Sequence, residues 1–421
     1  MSVLALLSIV VTAAALFGWL SDRVLRLPQT IGSMGLTVFA SVLLIGLSGV
    51  SPGLHGWGVS VVGRLDLRDL ILHGMLGLLL FAGSFLLNLK VMRFQKLTVS
   101  MLSVFATLLS AGGVAAMMHW ALPLLGPLHT RPVRWIECLL FGALISPTDP
   151  IAVLEMLQRA GLSKEIEAQL AGESLFNDGV GAVLFLSVLG LVEGNTPTVA
   201  HVVSTLVLQA GGGLALGVSL AWLASQMMSR VDRYQVEILL TLSLALGGYA
   251  VAEALHVSAP LEAVAAGLAL REFNRRHVHR AISHEKLEGF WTLFDEVQNA
   301  VLFTLLGLEV LAISFSRQSF AAGGVAIVAV VVMRIVSVGL VLAFLRAIQR
   351  HLQTSWLALS WGGLRGGLSI ALALSIPTES GRTWIFSTTY IVVVFSVLLQ
   401  GGTFNAMLSR TRKKAALKIA C

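Results

Sequence analysis

The chain alternates long apolar runs with short polar breaks. A hydrocarbon core of ~30 Å takes ~20 helical residues to cross. Runs near that length fall at 3–20, 30–49, 69–89, 98–123, 135–156, 168–192, 199–226, 235–255, 257–270, 291–313, 320–345, 355–377 and 383–408. This pattern predicts an all-α polytopic membrane protein with about 13 transmembrane helices. The run at 257–270 is the shortest, interrupted by Pro260 and Glu262. The breaks between runs are too short for a folded extramembrane domain.

Composition agrees. Of the 421 residues, 56% are hydrophobic and 12% charged; a soluble domain carries about 25% charged residues. Too few charges remain to cover a water-facing surface, so the solvent for most of the chain is lipid. The N-terminus runs straight into apolar sequence without a basic segment or an A-x-A cleavage site, and reads as a retained first helix. Cys138 and Cys421 are far apart and make neither a disulfide framework nor a metal spacing.

The net charge of +7 points to membrane orientation rather than nucleic acid. With the C-terminus placed in the cytoplasm, 21 of the 29 Lys and Arg residues fall in inside loops or the short basic tail at 409–421, and 6 fall outside. That is a positive-inside asymmetry. It predicts a multi-pass protein of the cell membrane, N-terminus outside and C-terminus cytoplasmic. Thirteen spans also permit inverted repeats: spans 1–6 related to spans 8–13, with span 7 as connector. Span 5 then pairs with span 12.

Those two spans carry the most unusual sequences. Span 5 contains Ser146-Pro147-Thr148-Asp149-Pro150. Proline cannot donate to the helix ladder and pushes the residue before it out of helical geometry. The helix is expected to open there, with freed carbonyls and the Asp149 carboxylate facing a cavity, because lipid does not tolerate such backbone. A proline kink with Asp149 as a local cap is the plainer reading. Span 12 contains Trp361-Gly362-Gly363-Leu364-Arg365-Gly366-Gly367. Four glycines weaken the helix and admit close approach of another chain. Arg365 either neutralises the C-terminal end of an opposing half-helix or only supports the crossing.

Span 6 contains Gly172-Glu173-Ser174-Leu175-Phe176-Asn177-Asp178-Gly179. Glu173 and Asn177 share one face, and Ser174 and Asp178 another. Ser174 and Asp178 offer oxygen ligands, which suit hard cations. Charged residues at membrane depth are expensive and mark function. Arg334, deep in span 11, needs a carboxylate partner; Glu173 is the candidate, with Asp295 and Glu296 as alternatives near the start of span 10.

Four pieces together resemble monovalent cation:proton antiporter family 1, the NhaP-type and sodium–proton exchanger group. They are SPTDPIAV at 146–153, GESLFNDGVGAVLF at 172–185, Arg334 in its span, and WGGLRGGLSIALALSIP at 361–377. The resemblance covers essentially the whole chain. It implies an NhaA-like fold with two broken helices crossing at mid-membrane. Spans 1–3 and 7–10 (about 1–90 and 199–313) would form a dimerisation scaffold. Spans 4–6 and 11–13 (about 97–192 and 320–408) would form the ion-transporting core. It further implies that Asp178 binds cation and proton, that Asp149, Ser174 and Thr148 complete a Na⁺ site, that Asn177 braces the break at Thr148, and that Glu173 pairs with Arg334. The Asn177-Asp178 pair resembles the electroneutral branch; an Asp-Asp pair marks the electrogenic one. Animal members carry a long regulatory tail that 409–421 does not match.

The expected function is Na⁺ (or Li⁺)/H⁺ exchange by alternating access, serving pH and sodium homeostasis, with no cofactor and a homodimeric assembly. K⁺/H⁺ exchange by the same machinery is the alternative, and a cation channel a more distant one. An intramembrane enzyme lacks its signatures, H-E-x-x-H and G-x-S-x-G. Asp295-Glu296 reads as a cytoplasmic interfacial anchor, with the lining of an ion funnel as the other reading. The histidine-bearing loop 277–284 reads as a solvated loop.

Overall fold

The structure, a computed structural model, describes residues 3–49, 52–64, 69–128, 133–160, 164–192, 199–275, 281–349, 354–377, 382–404 and 406–407. The basic tail and residues 277–280 of the histidine-bearing stretch lie outside the described residues.

The described chain is helical throughout. Helix α1 (Val3–Leu20) runs into a wide turn at Ser21–Leu25, and α2 (Gln29–Gly46) packs beside it. A short helix, α3 (Pro52–Val62), precedes α4 (Leu76–Leu86). Helices α5 (Leu89–Met101) and α6 (Thr107–Ala121) join through wide turns at Leu102–Ala106 into one long rod. The first broken helix follows as α7 (Trp135–Ile145) and α8 (Ile151–Ala160). Then come α9 (Lys164–Val192), α10 (Val199–Met228), α11 (Tyr234–Ala254), α12 (Ala259–Arg275), α13 (Ala281–Leu308) and α14 (Arg317–Ile348). The second broken helix is α15 (Trp356–Trp361) with α16 (Gly367–Leu374). Helix α17 (Arg382–Val394) continues through wide turns to Gly401.

Each of the thirteen apolar runs coincides with a helix or a broken helix. Among the described residues, eight helices are long and apolar enough to cross a membrane on their own. The broken ones are not: their halves have 11 and 10 residues, and 6 and 8. Large apolar side chains such as Leu4, Trp19, Phe39, Trp222, Leu239 and Phe344 point outward, where lipid is their solvent.

Three buried apolar clusters organise the bundle. One gathers α4 and α10 to α13 around Phe81, Phe85 and Trp291. A second gathers α6, α7, α14, α16 and α17 around Phe141 and Phe185, the latter from α9. The third takes side chains from α2, α8, α13, α14 and α15. Helix α9 contributes to all three, with Leu170, Leu175 and Phe185. That central position suits it to carry the polar residues of the site.

Four features depart from the sequence expectation. Helix α3 occupies what reads as a loop, because Pro52, Gly53, His55, Gly56 and Gly58 dilute its apolar pattern. The basic segment between spans 3 and 4 is helical: the Asn88 side chain accepts from the backbone N–H of Lys90 and Val91 and starts α5 there. The run at 257–270 is one uninterrupted helix. Pro260 lies in its first turn, where a missing N–H costs nothing, and Glu262 is packed at 0% exposure. Finally, α13 begins at Ala281 rather than near 291, so Asp295 and Glu296 sit in mid-helix rather than as an anchor at its end.

Candidate functional site

The two breaks meet. Helix α7 stops at Ile145, where Pro147 cannot extend the ladder, and Ser146 Oγ turns back to donate to the Gly142 carbonyl at 2.6 Å. Asp149 N–H donates across to the Leu364 carbonyl at 2.8 Å, an isolated antiparallel bridge between the two broken helices. Asp149 Oδ1 accepts from Ile151 N–H at 3.0 Å and so caps the first turn of α8. Asp149 therefore is a local cap through one oxygen, with its carboxylate still on the cavity wall.

Four half-helix ends converge here, and their dipoles are matched in pairs. Carbonyls at a helix C-terminus attract cations, and N–H groups at an N-terminus attract anions. Arg365 Nη1 donates to the Ser146 carbonyl at 2.5 Å and the Pro147 carbonyl at 2.9 Å, at the end of α7. Arg334 Nη2 donates to the Leu359 carbonyl at 2.8 Å, near the end of α15. The N-termini of α8 and α16 both face Asp149. A Cβ on Gly366, just before α16, would lie 2.7 Å from Asp149 Cγ. Only glycine admits that approach.

Helix α9 supplies the rest. Asn177 and Thr148 are joined twice: Asn177 Nδ2 donates to Thr148 Oγ1 at 2.7 Å, and Thr148 N–H donates to Asn177 Oδ1 at 3.2 Å. Ser174 Oγ donates to the Thr148 carbonyl at 2.5 Å. The backbone groups freed by the break are thus taken up by side chains, as buried backbone requires. One face of α9 holds the break open, and one turn spaces Asp178 beside it.

Glu173 and Arg334 form a buried two-pronged pair. Nη1 meets Oε1 at 2.5 Å and Nη2 meets Oε2 at 3.0 Å, with the residues 1% and 4% exposed. Asp295 and Glu296, the other candidate partners for Arg334, lie instead on the wall of the central cavity. Glu173 is fully engaged. Asp178 is not: no hydrogen bond or ion pair from the described residues reaches its carboxylate, and its electrostatic neighbour is Asp149.

A cavity of about 890 Å³ joins these groups, with Thr148, Asp149, Ser174 and Asp178 among its lining. Lys164, Glu167, Arg271 and Glu288 line it as well, and Lys164 belongs to the side that carries the excess of basic residues. Two carboxylates beside hydroxyl and carbonyl oxygens on the wall of one cavity can hold either a small hard cation or protons.

Ser396 and Gln400 were not anticipated. Ser396 Oγ accepts from Arg365 N–H at 2.9 Å, and Gln400 Nε2 donates to the Trp361 carbonyl at 2.7 Å. Together they hold the second break from α17's extension as Asn177 holds the first. Their signal was a polar pair at i and i+4 in the apolar last span. Asp295 and Asn299 have the same spacing and also line the cavity.

Membrane-length helices, two of them broken and crossing beside half-buried carboxylates, define a membrane transporter built to carry ions. Within that class, the chain belongs to the sodium/hydrogen exchanger transmembrane family, which matches residues 2–410. It is 39% identical over 417 residues to the Na(+)/H(+) antiporter NhaP of Pseudomonas aeruginosa, covering 97% of this chain and 96% of that one. It is 30% identical to the Na(+)/H(+) antiporter NhaH of Halobacillus aidingensis, covering 75% and 76%. Its fold is similar to that of the sodium proton antiporter MjNhaP1 from Methanocaldococcus jannaschii, with a TM-score of 0.67 at 20% identity, covering 89% of this chain and 96% of that one.

Proposed function

We propose that this chain is an electroneutral Na⁺/H⁺ antiporter in which one site, built around Asp178, holds either a cation or a proton. The observation that carries the reading is the contrast within span 6. Glu173 is neutralised by Arg334, whereas Asp178 faces the cavity unpaired beside Asp149. The family and the two relatives named as Na(+)/H(+) antiporters support it.

The chemistry follows from charge. A cation binds when Asp178 is ionised, with Asp149, Ser174 and Thr148 completing the oxygen set. Protonation removes the ligand charge and releases the cation. Crossing with the site empty and ionised is disfavoured, because an isolated buried charge costs many kcal/mol. That prohibition couples the two fluxes. Spans 4–6 and 11–13 are the moving core, and spans 1–3 and 7–10 the scaffold, through which two copies pair; the separate apolar clusters around Phe141 and Phe81 support the division. The C-terminus is cytoplasmic, on the strength of the basic-residue asymmetry, so the cavity opens inward.

The test is reconstitution of Asp178→Asn in vesicles under an imposed Na⁺ gradient. Wild-type protein acidifies or alkalinises the lumen according to the gradient's direction, and the variant does not. Retained Na⁺-driven pH change in the variant removes Asp178 from the site. Parallel gradients of K⁺ and Li⁺ resolve the cation, and a strong response to imposed voltage contradicts electroneutrality.

A further inference from the structure

We propose that Asp295 and Asn299 on α13 form a second, outlying binding position for the alkali cation, occupied before the ion reaches Asp178. The proposal rests on the antiport reading of the same cavity and adds a ligand set that lies outside the two broken helices and α9.

The two residues are four apart on one helix, so their side chains stack on one face. Both line the cavity that holds Asp149 and Asp178. The Asn299 side chain lies beside the Asp295 carboxylate. Asn299 is 3% exposed, and its Oδ1 is buried without a partner. A buried carbonyl oxygen left without a partner is destabilising, a cost that a bound cation reverses.

The charges make the same point. Asp295 interacts electrostatically with Asp149 and with Glu296. Carboxylates crowded along one wall repel, and a monovalent cation between them relieves the repulsion. A carboxylate plus an amide carbonyl is an oxygen set for a hard cation, and it lacks the nitrogen or sulfur that would select a transition metal. Two ligands, completed by water, make the position weaker than the deep site. That suits a place where ions pause rather than stay.

The two sites separate in purified protein in detergent by equilibrium binding of radioactive Na⁺ at high pH. Asp178→Asn removes the deep site, and the remaining binding is expected to disappear in Asp178→Asn/Asp295→Asn. In vesicles, Asp295→Asn is expected to raise the half-saturating Na⁺ concentration about five- to tenfold, equivalent to about 1–1.4 kcal/mol, with the maximal rate within about twofold. Asp295→Glu restores the affinity, which a merely structural role would not require. Unfolding midpoints within a few degrees of wild type establish that each variant is folded; if Asp295→Asn is not, Asn299→Ser carries the same test. Loss of all Na⁺ binding in Asp178→Asn, or wild-type half-saturation in the folded Asp295 and Asn299 variants, overturns the proposal and leaves the antiport reading intact. Absence of Na⁺-driven exchange in the wild-type protein overturns that reading instead.

Discussion

Asn177 and Thr148 grip each other at both ends of the asparagine amide, with Nδ2 on Thr148 Oγ1 at 2.7 Å and Oδ1 on Thr148 N–H at 3.2 Å. Both residues are buried, at 0% and 2% exposure. The pairing ties an intact helix to a broken one. It fixes where the opened backbone of span 5 sits relative to Asp178, one residue along α9. Thr148 offers a backbone N–H that must be accepted and a hydroxyl that can donate or accept, and the asparagine amide meets both at once.

Replacing Asn177 with Ala leaves the Thr148 N–H buried and unpaired. The loss is expected to be about 2–3 kcal/mol, read as a lower unfolding midpoint in detergent, together with loss of exchange. Asn177→Asp retains an acceptor for the N–H, and Thr148 Oγ–H can rotate to donate. It is expected to recover most of the midpoint. An unfolding midpoint in Asn177→Ala equal to that of wild type would show that the amide pairing contributes nothing.

The Glu173–Arg334 pair permits a sharper measurement. Both ions are desolvated, so removing either strands the other at a cost of about 3–5 kcal/mol. Removing both strands nothing. Glu173→Gln and Arg334→Met are each expected to lower stability strongly, and the double variant to lose at least about 2 kcal/mol less than the sum of the two. Additive losses would mean that the pair is not coupled. Arg334 also donates to the Leu359 carbonyl, so the double variant does not return fully to wild type.

Much of this arrangement was legible in the sequence, for a physical reason. Lipid makes a polar residue conspicuous: Asp149 between two prolines, Asp178 beside Asn177 and Arg334 amid valines each stand out against an apolar background. The runs themselves mark the spans. What escaped had a weaker contrast. Helix α3 hides because its glycines and histidine look like loop. Ser396 and Gln400 carry no charge, and their role depends on which backbone they meet. Asp295 looked like a span end because the run 291–313 started late; the helix begins ten residues earlier, on polar sequence from which Glu288 lines the cavity.

The crossing depends on a missing side chain. A Cβ at Gly366 would lie 2.5 Å from Asp149 Cβ and 2.7 Å from its Cγ, so Gly366→Ala pushes the carboxylate away from the N-terminus of α16 without altering any ionisable group. Displacing a binding group by ~1 Å can reduce rate about a hundredfold. Exchange is expected to fall at least about tenfold, within that bound. Gly402→Ala is the control, since nothing lies within 4 Å of its Cβ position, and it is expected to behave as wild type. Full activity in Gly366→Ala would show that the close contact at Asp149 is not needed for transport.

The proposed competition for one carboxylate also dictates how exchange depends on pH. In that mechanism Na⁺ requires Asp178 ionised, and a proton on the same oxygens excludes it. Lowering the pH therefore raises the half-saturating Na⁺ concentration, and saturating Na⁺ restores the rate as long as protons are still released on the other side. Each ligand weakens the other by the same factor, because the coupling is reciprocal. One proton displaced per cation limits the slope to about tenfold in half-saturating Na⁺ per pH unit, from the linkage of one bound proton to one bound ion. On the alkaline side the half-saturating concentration levels off, and exchange slows for a different reason: protons become the scarce substrate. The combined profile is a maximum in pH that moves to lower pH as Na⁺ is raised. Initial rates in vesicles, measured as a matrix of Na⁺ concentration against pH, decide the matter. A maximum that stays at one pH whatever the Na⁺ concentration would require a separate titrating switch and would remove competition at Asp178 as the coupling device.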